Sequence, residues 1–413
     1  MATEDASASK ARTKASVQHH GPELVEVSSS EMSKWREMMS QGITKYMEQH
    51  PDRFRRRVRR GIPPEFRWSV WRAAARLDSE PPEADYASLC EQENQYTASI
   101  EMDVRRTFPE QKCFDEDQQR RLKRVLNAYA SYNPDCGYCQ GMNYVAGLLL
   151  LVSHSEEESF AVFLRLMDHE AYGLGGFYMG QLPLLRRYLR ACERLVAETL
   201  PELREHFIKE GMQPVTYLHK WFLTLFIDCF PISMVMILWD VIICEGLPEI
   251  LRIAVSILQV LKDSLLSMEV EEIVKFFKMM KTYTDDDGEL GAVKIGQLLM
   301  KHTEQVHIPQ ETIQYLHASL EDEGNINWDD SWENEQSSWY QVMTRMFSWR
   351  KSSTASSLRS SSAPELYSAS PGADQGLTSR GSAPNVAAAG APNSALPGEP
   401  PEEESFFKGW EFL

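Results

Sequence analysis

The 413-residue chain has no uninterrupted apolar run long enough to cross a bilayer. Its most hydrophobic stretch, residues 221–244, is broken by Asp228, Pro231 and Asp240, the pattern of packed helices and not of a span. Residues 1–21 are polar and lack the apolar segment of a secretory signal. The expectation is a cytoplasmic protein with peripheral recruitment to membranes at most. Positive charge is scarce: 43 Lys and Arg face 60 Asp and Glu, a net charge of −17. That balance argues against nucleic acid as a partner, because neutralising phosphates needs a net basic surface, and against an anionic bilayer as the primary one.

Cysteine is sparse as well. The seven (90, 113, 136, 139, 192, 229 and 244) are odd in number and scattered through apolar segments, as expected of mostly buried thiols in a reducing compartment. Cys136-x-x-Cys139 lacks a second pair or a spaced His, which argues against zinc and for one buried and one exposed thiol. No G-x-x-x-x-G-K-[ST] loop occurs, and Gly173, Gly175 and Gly176 follow no strand, so the chain is expected to bind no nucleotide by itself. Around Asp285, Asp287 and Gly288 a calcium loop would need oxygen ligands where Tyr283 and Lys294 stand; a second acidic turn surrounds Gly324. Both are read as solvated turns, with calcium-responsive regulation the minor alternative.

What is present is helical periodicity. Residues 1–29 are small and polar and are expected to be disordered. Residues 30–320 carry almost all the apolar pattern, residues 321–349 are acidic and Trp-containing, and residues 350–413 form a Ser/Ala/Pro-rich tail, also expected to be disordered. Trp35, Met38, Met39, Ile43 and Tyr46 mark one helical face ending at Pro51; Leu122, Val125, Leu126 and Tyr129 mark another ending at Asn133-Pro134. Ser155 and Glu158 form a candidate capping box ahead of Phe160, Phe163, Leu164 and Met167. Pro183 opens a helix with Leu185, Tyr188, Leu189, Cys192, Leu195 and Val196 inward, closed by Pro201. Helices are expected over residues 248–267, 269–281, 291–302 and 309–320. Strand alternation and internal repeats are missing, so the fold class is all-α.

Three local patterns occur in a fixed order. They are Gly61-Ile62-Pro63-x-x-x-Arg67-x-x-x-Trp71, then Ile100-x-x-Asp103-x-x-Arg106, then Gly137-Tyr138-Cys139-Gln140-Gly141-Met142-Asn143. Further pieces follow: Gly173-Leu174-x-x-Phe177-Tyr178, Leu182-Pro183, Lys220-Trp221-Phe222, Trp239-Asp240 and Glu245-Gly246. Together they resemble the fingerprint of the TBC domain, the family of GTPase-activating proteins for Rab GTPases, firmly over residues 60–250.

The resemblance implies a multi-helix TBC domain that accelerates GTP hydrolysis by a Rab GTPase in its GTP form and so regulates vesicle trafficking. Arg106 falls at the family's arginine finger and Gln140 at its glutamine finger. Asp103, Tyr138 and Ile100 would support them. Asp103, three residues before Arg106, would share its face on a helix and aim the guanidinium. Arg67 and Trp71, with Trp239 and Asp240, read as a structural motif. GTP and Mg²⁺ would be carried by the partner, so the chain needs no cofactor or metal of its own, and it is an activator with no stand-alone reaction. Many family members carry Arg where Ile237 stands, a departure expected to alter an ion pair or the partner-facing surface. The alternative reading is a non-catalytic adaptor of the same fold.

Arg53, Arg55, Arg56, Arg57, Arg59 and Arg60 form a basic run expected mainly to pair with the chain's own acids from an exposed segment. In the tail, residues 359–364 resemble a docking motif for 14-3-3 proteins with Ser362 as the phosphosite, and Trp410 and Leu413, after three acids, resemble a motif bound by Atg8-type proteins. Residues 321–413 hold 14 acids and 6 bases, so nearly half the net acidity lies in that C-terminal stretch.

Overall fold

The first predicted helix is two. In the computed structural model, which describes residues 28–180, 182–282 and 289–318, α1 (Ser29–Ser40) stops and α2 (Ile43–Gln49) restarts across Gln41 and Gly42. Gly42 N–H closes back onto Met39 O at 3.1 Å. The spacing of apolar residues continues across this two-residue joint, so periodicity alone does not register it. Ser28 caps α1 by accepting from Glu31 N–H at 3.2 Å, and Trp35 and Met38 are buried. Pro51 does end α2, but it also opens α3 (Pro51–Val58) at once, because its missing N–H is not needed in a first helical turn.

The same device recurs. α4 (Pro64–Ala74) opens on proline; α5 (Tyr86–Leu89), α6 (Thr97–Val104) and α7 (Glu116–Tyr132) follow, then α8 (Met142–Ser153) and α9 (Glu156–Asp168). α10 (Pro183–Thr199), α11 (Pro201–Lys209) and α12 (Pro214–Leu223) each begin with proline. The chain continues through α13 (Ile232–Glu245), α14 (Glu249–Leu266), α15 (Val270–Met279), α16 (Glu289–Thr303) and α17 (Gln310–His317). No strand forms among the described residues, so the fold is all-α. No helix among them is long and apolar enough to cross a membrane.

Two helices are apolar all round and form the centre. Every residue of α8 from Met142 to Leu151 is buried, as is every residue of α13 from Ile232 to Ile243. α7 and α9 pack on α8, while α3, α4, α14 and α16 pack on α13. Ile237 is wholly buried, and a Cβ at Gly296 of α16 would lie 3.0 Å from its Cδ1. It is therefore a core contact, not part of a partner-facing surface as expected. At α9 only half of the capping box forms. Ser155 Oγ accepts from Glu158 N–H at 3.4 Å, but the Glu158 carboxylate turns to Trp68 Nε1 at 2.5 Å and Arg72 at 2.9 Å.

The arginine run does meet the chain's own acids. Arg59 donates to both oxygens of Glu245 at 2.9 and 2.6 Å, and to Glu249 at 2.9 Å, while Arg57 and Arg60 reach Glu31. Arg53, Arg55, Arg56 and Arg60 are exposed as expected, whereas the Arg59 side chain is only 10% exposed. Cys136 and Cys139 are both buried, correcting the expected exposed partner, because the loop that carries them turns inward against the core. No group of three or more His, Cys, Asp or Glu among the described residues could hold a metal ion. The acidic turns at Asp285, Asp287 and Gly288 and around Gly324, both tails, Ser362, Trp410 and Leu413 lie outside the described residues.

Candidate functional site

The first sequence pattern and the Trp239-Asp240 pair meet in a buried cluster. Asp240 of α13 is fully buried and accepts from Arg67 Nε at 2.9 Å, Trp71 Nε1 at 2.9 Å and Ile62 N–H at 2.9 Å. Arg67 also donates to Ile62 O at 2.7 Å, and the Trp71 and Trp239 rings lie 5.8 Å apart. Burial pushes the Asp240 carboxyl up, and the Arg67 charge and bond oppose it. Arg67 is 4% exposed and Trp71 0%, so neither offers a surface to a partner. The cluster pins the start of α4 to the central helix.

The second and third patterns meet elsewhere, at the end of α6. The chain leaves α6 in a tight turn closed by Arg106 N–H to Asp103 O at 3.2 Å. Ile100 and Asp103 face inward, while Arg106 is 55% exposed. One Asp103 oxygen holds Arg106 Nη2 at 2.5 Å, and the other accepts from the Tyr138 hydroxyl at 2.6 Å. Tyr138 is 4% exposed, so it supports the loop instead of meeting a partner. Gln140, two residues on, is exposed. The arrangement presents one guanidinium and one primary amide at the surface, joined through a buried carboxylate and phenol. The charge of Arg106 also acts on the phenols of Tyr138 and Tyr144, one on each side of Gln140 in sequence.

Two residues in this network carried no expected role. Thr107 Oγ1 donates to Asp103 O at 2.8 Å and accepts from Asn143 Nδ2 at 2.8 Å. Asn143, with no exposed surface, accepts from Gly141 N–H at 3.0 Å through Oδ1, which also lies 3.4 Å from the Tyr138 hydroxyl. Its place in the third pattern was the available signal; nothing in the sequence singles out Thr107. The Gln140 loop is bracketed by glycines that no other residue could replace without strain. Gly137 has φ +60° and a Cβ there would stand 2.2 Å from the Tyr96 ring; Gly141 has φ +113° and a Cβ would stand 2.8 Å from Leu223 O. That carbonyl is itself fixed by the Tyr178 hydroxyl at 2.7 Å.

This arrangement lies within a stretch with known relatives. The sequence model described as the Rab-GTPase-TBC domain matches residues 64–266. The chain is 33% identical over 228 residues to the GTPase-activating protein GYP5 of Saccharomyces cerevisiae, covering 55% of this chain and 25% of that protein. It is 32% identical over 235 residues to the human growth hormone-regulated TBC protein 1, covering 55% of this chain and 69% of that one. The chain thus spans about a quarter of the yeast relative's length. The fold matches the crystal structure of the Chlamydomonas flagellar RabGAP TBC domain with a TM-score of 0.53 at 23% identity, over 67% of this chain and 93% of that one. With three ordered patterns, an all-helical fold and a human relative matched over most of its length, this chain belongs to the Rab-GTPase-TBC domain family.

Proposed function

We propose that the chain is a GTPase-activating protein for Rab-family small GTPases, and that it inserts Arg106 and Gln140 into the nucleotide site of a GTP-loaded partner. The observation that carries this reading is the relay from Arg106 through Asp103 to Tyr138, which holds two exposed polar side chains on one buried support. Transfer of the phosphoryl group to water spreads negative charge over its oxygens, and a slow GTPase lacks a cation there. An arginine supplied in trans accelerates the step by roughly 10³- to 10⁵-fold. That corresponds to about 4 to 7 kcal/mol of barrier. Asp103 engages one guanidinium nitrogen, which leaves other donors of Arg106 for phosphate oxygens. The Gln140 amide accepts from the attacking water and donates to a neighbouring oxygen, orienting the nucleophile.

GTP and Mg²⁺ arrive with the partner; the chain completes that partner's active site and has no reaction of its own. Its place is the cytoplasmic face of membranes that carry Rab proteins, in vesicle transport. Single-turnover GTP hydrolysis across a panel of purified Rabs tests the reading with wild type, Arg106→Ala and Gln140→Ala. Acceleration of at least one Rab that both substitutions abolish is the expected result. Binding without acceleration of any Rab would instead make the chain a non-catalytic adaptor, and acceleration indifferent to both substitutions would displace the site.

A further inference from the structure

The family match ends at residue 266, yet a side chain beyond it touches both segments that carry the proposed fingers. Lys281 lies in the 3₁₀ turn Met280–Thr282 that follows α15. Its Nζ stands 2.7 Å from Asp228 Oδ1, 3.2 Å from Glu110 Oε1 and 5.5 Å from the centroid of the Tyr144 ring. Glu110 is in the irregular stretch that also carries Arg106, between α6 and α7, and Tyr144 is in the first turn of α8, directly after the Gln140 loop. Asp228, between α12 and α13, is also bonded by Lys220 at 2.9 Å. The two segments meet each other there as well, with the Phe108 and Tyr144 rings edge to face at 5.9 Å.

We propose that Lys281 is a positioning residue for both fingers: it ties the Arg106 turn and the start of α8 to the Asp228 anchor. This deepens the GTPase-activating reading and rests on it. The Arg106 stretch and the Gln140 loop that leads into α8 are irregular backbone, whose placement depends on tethers and not on helix propagation. Two tethers, Tyr138 to Asp103 and Asn143 to Thr107, come from within the site. Lys281 adds another from an element distant in sequence. The side chains of Lys281 and Asp228 are 20% and 15% exposed, so solvent screens this ion pair little. Glu110 is 44% exposed and would contribute little alone, but it adds to a lysine already held. The ring of Tyr144 supplies a cation–π contact on the other side. Burial pulls the Lys281 amine down, but the bonds and charges of Asp228 and Glu110 outweigh it and hold the ammonium above its ordinary value.

The test uses the full chain with Lys281→Met, which keeps the stem and removes the charge, and Lys281→Arg. Lys220 still holds Asp228 in both, so no carboxylate is left buried without a counter-ion. With a responsive Rab, Lys281→Met should lower kcat about 10-fold while KM changes by less than about 2-fold, the pattern of misplaced groups and not of lost binding. Lys281→Arg should recover most of the rate. Amide hydrogen exchange on the free chains should quicken in Lys281→Met at residues 105–111 and 138–144 and stay unchanged in α9 and α14. Unchanged kcat with unchanged exchange overturns the proposal, as does a rate loss accompanied by faster exchange throughout. If wild type accelerates no Rab, the GTPase-activating reading falls by itself. The exchange result then decides alone whether Lys281 positions these two segments.

Discussion

Tyr138 and Arg106 hold the two oxygens of one carboxylate: the phenol donates to Asp103 Oδ2 at 2.6 Å and the guanidinium pairs with Oδ1 at 2.5 Å. Burial first, and then the Asp103 charge, push the Tyr138 phenol well above its ordinary value, so it stays a protonated donor. Tyr138→Phe removes that donor with almost no change of volume. The expected outcome in single-turnover assays is a loss of about 10- to 100-fold in stimulated rate, since misplacement by an ångström costs on that order. Stability should fall by about 1.5–3 kcal/mol, the range for a hydrogen bond to a charged group. An unchanged rate would mean that the Arg106 side chain needs no support from the loop that carries Gln140.

Arg106→Lys keeps the charge and discards the planar fork. A lysine ammonium is a point charge on a flexible stem and cannot bond two phosphate oxygens in parallel. The stimulated rate should therefore stay within about 10-fold of Arg106→Ala and at least about 100-fold below wild type, with Rab binding largely kept. Recovery of most of the wild-type rate by lysine would reduce the role of this residue to bulk electrostatics.

Gly141→Ala tests the loop itself. The substitution places a Cβ 2.8 Å from Leu223 O at a φ of +113°, and Leu223 O cannot retreat without breaking its bond from Tyr178. A cost of about 1–3 kcal/mol is expected for the backbone strain, and more if the clash is not relieved. Differential scanning calorimetry should record a lower Tm, and the rate should fall further than the stability loss explains. A Tm equal to that of wild type would show that the loop relaxes freely.

Residue pattern and spacing carry the parts of the site built from contiguous motifs. Gly137, Tyr138, Gln140 and Gly141 form one loop, and the three-residue step from Asp103 to Arg106 places both at the same helix end. Bonds between distant segments are not legible in that way. Nothing local to Lys281 announces Glu110 or Asp228, and nothing around Thr107 announces Asn143, because each pairing arises only when segments distant in sequence pack together. The same limit explains Gly42. A break of two residues preserves the apolar spacing, so the helical face reads as continuous although the helix is not. Ile237 shows the converse: a family-level departure suggests an altered ion pair or surface, while burial against Gly296 places the side chain in the core.

The Arg67–Asp240 pair separates structural from chemical roles. Arg67→Met leaves the Asp240 carboxylate fully buried beside Ile62 N–H and Trp71 Nε1 but without its cation. Losing one partner of a buried ion pair costs about 3–5 kcal/mol. The double variant Arg67→Met with Asp240→Leu removes both charges and should be more stable than Arg67→Met alone. Thermal melts of the three proteins check this. A double variant no better than the single one would show that the Asp240 oxygens are needed for the Ile62 and Trp71 bonds more than for charge balance.

His219 gives the pH dependence its sign. It lies in α12, one turn before Leu223, whose carbonyl the Gly141 backbone approaches. Burial lowers its pKa below the ordinary 6.5, against the opposing bond to Val215 O. In the unfolded chain the imidazole takes a proton as pH falls through 6.5, while the folded chain resists doing so until lower pH. The unfolded state therefore binds more protons in that window, and stability is lost as pH falls below 6.5. His219→Gln removes the titration and keeps a polar side chain. Between pH 7 and 5 the Tm of wild type should drop more steeply than that of His219→Gln, in melts at constant ionic strength. Parallel slopes would assign the acid sensitivity of the domain to other groups, and a steeper slope in the variant would reverse the direction inferred for this histidine.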